Sequence, residues 1–185
     1  MPVSDELKRL CHRRLCLRLV EPEDADFIHG LRMDPAYNAH LSAVDGTAAD
    51  QRAWISRYKE REAAGRELYY VIERRDGTPC GLVRLYGIGT DGFTWGSWIL
   101  NRDKPAGAAL ESAVLSFGVG FEKLGLPRAV FDVRLGNAHA IAFYRRFGAR
   151  ETGRDDVNIY FEYSAERYFR DRDTHFSTLR ERAEA

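Results

Sequence analysis

Two groups of residues in this chain could do chemistry. The first is Lys104-Pro105-Ala106-Gly107-Ala108-Ala109, a cation followed by small residues, lying between an aromatic stretch (Phe93 to Leu100) and an apolar helical pattern. Small side chains let an anion approach the backbone, the first N–H groups of a helix lack internal partners, and the peptide dipoles favour negative charge there. A phosphate-bearing ligand suits such a turn; an ordinary strand-to-helix turn would use the same letters. The second group is Asn137, Ala140, Tyr144 and Gly148. The Tyr144 hydroxyl could give a proton to a leaving group, or the ring could be a core aromatic beside Phe143 and Phe147. Asn137 suits a ligand contact, a helix N-cap, or both. A loop at 35–48 adds Tyr37, Asn38, His40, Leu41 and Ser42. An aromatic, an amide and an imidazole together make it a candidate substrate wall, against a surface loop in which Tyr37 and Leu41 pack.

These groups need elements to hold them. Leu110, Val114, Phe117, Phe121 and Leu124 recur at steps of four and three, so a helix with one buried face follows the small residues. Phe93 to Leu100 and Pro127 to Leu135 read as strands, and a shorter helix opens at Gly136-Asn137 and ends at Gly148. A strand entering a helix twice, between antiparallel hairpins, argues for a mixed sheet covered by helices. The hairpins are Glu67 to Glu73 with Cys80 to Tyr86, and Glu151 to Asp156 with Asn158 to Ser164. Leu15 to Val20 reads as a first strand, and residues 1–12 as a loose or short helical lead-in. One helix starts after Glu21-Pro22-Glu23-Asp24; Thr47 or Asp50 caps another that runs to Ala64. The run Gly87 to Gly92, GIGTDG, has the letters of a dinucleotide fingerprint, but a strand follows it where the fingerprint requires a helix, so it is a hairpin loop. The charged tail reads as a surface helix docking through Tyr168 and Phe169, or as a subunit contact.

The chain has 185 residues, zero formal net charge, 44% hydrophobic and 30% charged residues, which describes one soluble domain. Zero charge argues against nucleic acid. No apolar run is long enough to span a membrane, and the N-terminus lacks the pattern of a signal peptide. Three cysteines, Cys11, Cys16 and Cys80, suit a reducing, cytoplasmic setting, each as a small hydrophobe. The histidines have no spacing that suggests a metal site, and no metal is expected.

With both strand–helix units placed, the chain resembles the GCN5-related N-acetyltransferase (GNAT) superfamily over roughly residues 14–165. Members carry Arg/Gln-x-x-Gly-x-Gly/Ala, matched by Lys104 to Ala109 with Lys in first place, and Asn-x-x-Ala-x-x-x-Tyr-x-x-x-Gly, matched by Asn137, Ala140, Tyr144 and Gly148. The resemblance implies an α/β (α+β) fold: a mixed, mostly antiparallel sheet of about seven strands, helices on both faces, and a splayed parallel strand pair. It implies a single domain over 1–165 with a charged tail at 166–185, and acetyl-CoA as cosubstrate. The cofactor would touch Trp98, Ile99, Leu100, Lys104, Ala106, Gly107, Ala108, Ala109, Asn137 and Tyr144. Its pantetheine would pair between the splayed strands, and Arg145 and Arg146 could reach its 3′-phosphate. Tyr144 would be the general acid, and backbone N–H groups at 97–99 would polarise the thioester carbonyl.

Many relatives carry a Glu on the strand that here reads Phe93 to Ser97, and no acid occurs in it. A water held by Thr94, Ser97 or Tyr86 could relay the proton, or His40 or Asp45 could supply the base. Two subfamilies compete for the acceptor. Ribosomal-protein N-terminal alanine acetyltransferases share the Gly96-Ser97-Trp98-Ile99 type of strand. Nucleotide-linked amino-sugar acetyltransferases resemble this chain in Asn38-x-x-Leu41-Ser42, Gln51-x-x-Trp54-Ile55, Tyr69 to Ile72 and Gly81-x-Val83-Arg84-Leu85-Tyr86. The amino sugar is the preferred acceptor, with Asn38, His40, Arg84, Tyr86 and Trp95 as its contacts. A non-catalytic acyl-CoA-binding module is a third reading. The expected partners are a small-molecule amine and, as an open alternative to the monomer, a second copy of the chain.

Overall fold

A computed structural model describes residues 3–43 and 45–184. Met1 and Pro2 of the lead-in, Val44 of the candidate loop and Ala185 of the tail lie outside the described residues. In order, the elements are α1 (Asp5–Lys8), β1 (Arg9–Cys11), β2 (Leu15–Leu19), a 3-10 turn (Pro22–Asp24), α2 (Ala25–Met33), α3 (Pro35–Asn38), α4 (Ala48–Ala63), β3 (Leu68–Arg74), β4 (Pro79–Gly89) and β5 (Gly92–Leu100). Then follow α5 (Ala108–Gly118), a π-helical turn (Val119–Lys123), β6 (Arg128–Arg134), α6 (Ala138–Phe147), β7 (Arg150–Arg154), β8 (Asn158–Ser164) and α7 (Ala165–Glu184). The strands form one sheet in the order β1-β2-β3-β4-β5-β6-β8-β7. Every neighbouring pair is antiparallel except β5 and β6, which gives the mixed, mostly antiparallel sheet expected.

Local signals place these elements. Thr47 and Asp50 cap α4 together: the Thr47 side chain accepts from the Asp50 N–H, and the Asp50 carboxylate takes the Thr47 N–H at 2.8 Å. Asn137 caps α6 by accepting from the Ala140 N–H at 3.2 Å. Strand β3 is buried on both faces and reads as an apolar run, whereas β6 alternates exposed and buried residues along its length. The difference has a physical cause. Helices α5, α6 and α7 cover one face of the sheet around Trp95, Phe117, Phe131, Phe147 and Tyr163. The opposite face is covered by α2 and α4 around Ile28, Ile55, Tyr58, Tyr69 and Leu82, which lies over the β2–β5 side. There β6 and β8 keep Val130 and Tyr160 exposed.

Three sequence expectations need correction. Residues 9–11 are a strand, not part of a loose lead-in, and bring the count to eight. That strand sets Cys11 directly opposite Cys16, and the two form a disulfide, so neither is a free small hydrophobe. Cys80 is the buried thiol. The tail is a helix whose Tyr168 and Leu179 are buried and whose Phe169 is exposed, so Tyr168 docks and Phe169 does not.

Candidate active site

Strands β5 and β6 pair at only two positions, Phe93 with Ala129 and Thr94 with Val130. Beyond them β5 continues to Leu100 and β6 to Arg134, each still bonded on its outer side, to β4 and to β8. The inner edges of both strands therefore separate with backbone groups unpaired, which costs free energy unless a ligand or water bonds them. A cleft of about 640 Å³ opens at this gap, lined by residues 95–100 of β5 and 131–134 of β6.

The β5 wall is irregular. Its register against β4 slips between Leu82/Ile99 and Arg84/Gly96, and Ser97 sits there at φ +49°. Such a bulge re-aims the local backbone and holds a non-glycine residue in the left-handed region, which the surroundings must enforce. Two indoles do so. Trp95 Nε1 donates to Ser116 Oγ at 2.9 Å and Trp98 Nε1 to Ser112 Oγ at 3.1 Å, which fastens both sides of the bulge to α5.

Tyr144 reaches the cleft from α6. Its ring lies 4.8 Å from Phe131 and edge-on to Trp95 at 5.8 Å, between the two splayed strands. Burial pushes the phenol pKa up, so the hydroxyl is a loaded donor at neutral pH. Among the described residues this hydroxyl has no hydrogen-bond partner of its own. The amide of Asn137 borders the same space while capping α6.

At the phosphate-suited turn, Gly107 adopts φ +80° and α5 starts at Ala108. Glu111 N–H bonds Gly107 O at 3.0 Å. Lys104 and Ala109 face the cleft, Ala108 is buried, and Ala106 and Gly107 lie on the other side of the turn beside Arg13 and Arg14.

On the far rim, His40 lines the cleft, with its ring 3.6 Å from where Gly136 would carry a Cβ. Tyr37 lines it too and fastens the α3 loop to the end of β5, its hydroxyl accepting the Arg102 N–H at 3.1 Å. Of the expected sites, the cleft thus gathers Trp95, Trp98, Ile99, Leu100, Lys104, Ala109, Asn137, Tyr144 and His40. It does not gather Asn38, Asp45, Arg84 or Tyr86. Arg84 is taken by an ion pair with buried Glu67, and its guanidinium lies 4.7 Å from the centre of the Tyr86 ring and 5.1 Å from that of Trp54. Arg145 is paired with Glu151 at 2.9 Å, which commits it away from a phosphate.

Sequence reasoning missed Asp132, Arg134, His139 and Asn158, all of which line the cleft. The period-two pattern of β6 carried the signal: with Ala129, Phe131 and Val133 inward, Asp132 and Arg134 must face out on the side the helices leave open. Among the described residues, no three metal-ligating side chains come together and no helix is long and apolar enough to cross a membrane.

A family model described as an acetyltransferase (GNAT) domain matches residues 14–150. Among solved structures, apo FdhC, described as a nucleotide-linked sugar GNAT, is 39% identical, with a TM-score of 0.83 over 90% of this chain and 96% of that one. A spermidine N-acetyltransferase from Vibrio cholerae in complex with CoA and spermine is 20% identical, with a TM-score of 0.71 over 84% of this chain and 98% of that one. That likeness concerns the fold alone. No curated protein sequence matches the chain.

Proposed function

The chain belongs to the GNAT acetyltransferases, and on that premise we propose that it moves an acetyl group from acetyl-CoA to the primary amine of a nucleotide-linked amino sugar. Enzymes of this family use acyl-CoA as cosubstrate, and the residues present suit one. The separated inner edges of β5 and β6 offer backbone partners to the amides of a pantetheine arm, and Lys104 with the start of α5 offers positive potential to a pyrophosphate. Bound there, acetyl-CoA supplies the activated acyl group as a thioester.

The protein's own groups do the rest. The bulged backbone at Ser97 to Ile99 offers N–H donors to an acyl oxygen held in the gap. Tyr144, kept protonated by burial, donates to the departing sulfur. Rings from Trp95, Trp98 and Phe143 pack together beside the gap and give it an apolar wall.

The observation that carries the sugar acceptor is the 39% identity to a nucleotide-linked sugar GNAT over 90% of this chain. The likeness to spermidine enzymes, at 20% identity, says nothing about substrate. No structural observation favours the N-terminal peptide acceptor, which rests on Gly96 to Ile99 alone.

The test is acetyl-CoA-dependent thiol release against nucleotide-linked amino sugars, N-terminal peptides and polyamines. Release with the sugars and not with the others is expected. Release confined to peptides or polyamines would overturn the sugar assignment while leaving the acetyltransferase one intact.

A further inference from the structure

The cleft contains a proton donor for the leaving group but, on β5, no acid to receive the proton that the amine must lose. The register of the sheet supplies one from the opposite strand. Among the described residues, Asp132 is the sole carboxylate that lines the cleft. It sits on β6 two residues past the last parallel pair, Thr94 with Val130, where the strands have just parted. Its neighbours Phe131 and Val133 point into the core, and Phe131 packs against Tyr144. Asp132 therefore projects from the other face of the same strand. Acid and carboxylate flank the gap from its two sides.

We propose that Asp132 is the general base of the transfer: it takes the proton from the acceptor amine on the open face of the sheet while Tyr144 serves the sulfur on the covered face.

Several features prepare that position. In the row of the sheet that crosses the gap, β4 contributes Arg84, β5 contributes Gly96, and beyond the gap Asp132 stands opposite Tyr160 of β8. Gly96 leaves its side of the row without a side chain, and the ring of Tyr86 leans over it; a Cβ there would lie 3.3 Å from the ring edge and 3.4 Å from the hydroxyl. Arg84, fixed by Glu67, supports that ring from behind. Burial raises the Tyr86 pKa and the negative field of Asp132 raises it further; Tyr160 is raised chiefly by its bond to Asp155, with Asp132 adding to it. The two phenols therefore stay neutral beside the carboxylate. Asp132 is also free to act. Glu67, Glu73, Glu111, Glu151 and Glu162 are engaged by arginine or by backbone N–H groups, whereas the Asp132 carboxylate has no ion pair or hydrogen bond among the described residues.

The step balances without another reactant. The ammonium gives one proton to Asp132, the freed nitrogen forms a bond to the acyl carbon, the carbon–sulfur bond breaks as the thiolate takes the Tyr144 proton, and the nitrogen sheds its second proton to the Tyr144 phenolate through solvent. The proton on Asp132 then leaves to solvent as the one net proton that the reaction releases. The proposal rests on the acetyltransferase assignment but not on the sugar, because any primary amine arrives largely as ammonium and must be deprotonated.

The experiment compares wild-type enzyme, Asp132→Asn, Asp132→Glu and His40→Gln, using whichever panel amine the wild type acetylates fastest. Asp132→Asn is expected to lower kcat/KM for the amine at pH 7 by about 100-fold or more, with the affinity for acetyl-CoA within about twofold of wild type. Its residual rate should climb about tenfold per pH unit, because hydroxide must now deprotonate the amine. Asp132→Glu should recover part of the rate and the flatter profile. The proposal is overturned if Asp132→Asn keeps the wild-type profile, if it loses acetyl-CoA binding in proportion to rate, or if the steep profile belongs to His40→Gln instead. A sugar assignment that failed would show separately, as a wild type fastest with a different amine.

Discussion

The hydroxyl of Tyr37 accepts a hydrogen bond from the backbone N–H of Arg102, 65 positions along the chain, at 3.1 Å. One end of this bond is the short helix α3 and the other is the turn that follows β5, so a single phenol ties the two together beside the cleft. Tyr37→Phe removes the acceptor and leaves the ring. A lost hydrogen bond of this kind is worth about 1 kcal/mol, so KM for the amine should rise about fivefold while the affinity for acetyl-CoA stays. Steady-state kinetics with each substrate varied in turn will separate the two.

Tyr144→Phe should fold as the parent does, because the ring and its contacts with Phe131 and Trp95 are kept. The expected loss is in turnover, about 100-fold or more in kcat, with acetyl-CoA still binding. Calorimetric binding beside a thiol-release assay checks both halves.

Ser97 at φ +49° offers a stability test of the bulge. Ser97→Gly suits that backbone and should stabilise the fold by about 1 kcal/mol; Ser97→Val puts a branched side chain there and should cost more than that. Denaturant unfolding of the three proteins reads both signs.

A stitch between distant elements runs through Glu111. Its buried carboxylate, on the first turn of α5, accepts the backbone N–H groups of Arg14 at 2.9 Å and Leu15 at 3.1 Å, where β2 begins. Glu111→Ala strands one buried and one half-buried donor and should cost about 3 kcal/mol, whereas Glu111→Gln keeps an acceptor and should cost about half as much. Urea midpoints at constant slope will show the order.

Alkaline pH gives a fifth test. Burial raises the phenols of Tyr58, Tyr70, Tyr144 and Tyr168 above the ordinary value of about 10. A folded pKa above the unfolded one means that the unfolded chain releases its protons first as pH rises. The stability these groups contribute is therefore whole below about pH 10 and falls above it, by up to about 1.4 kcal/mol per pH unit for each phenol. Unfolding free energies at pH 8, 10 and 11 should be flat over the first interval, as far as tyrosines go, and drop over the second.

Much of this architecture could be read in the letters. The four-and-three spacing from Leu110 to Phe121 placed α5, Thr47 with Asp50 marked the start of α4, and Asn137 with Gly148 bounded α6, because caps and periodicity are local. Strand β1 was hidden because Arg9, Leu10 and Cys11 carry no alternation of their own; their state is set by pairing with β2. The same holds at the site. Tyr144 and the small-residue turn stand out in the letters as candidates, but Asp132 enters the cleft only because β6 parts from β5 beside it, and that is a property of two strands far apart in the chain. Arg84 erred the other way: a cation in an aromatic strand suggested a ligand contact, and Glu67 had already claimed it.

The seam between β5 and β6 has a mechanical meaning as well. On one side of it five strands hang together by longer ladders, and on the other three do; two residue pairs join the plates. What bridges them is the last helix. It leaves β8 at Ala165, whose N–H is held by Pro127 O at 2.9 Å, and lies along α5, with Tyr168 bonded to Glu122 at 2.5 Å and Arg172 to the same carboxylate at 3.0 Å. The charged terminal segment is thus a tie-rod across a hinge. Its grip sets how far the plates can swing, so the compliance of the gap is governed from within the helical layer, by residues that do not line the cleft.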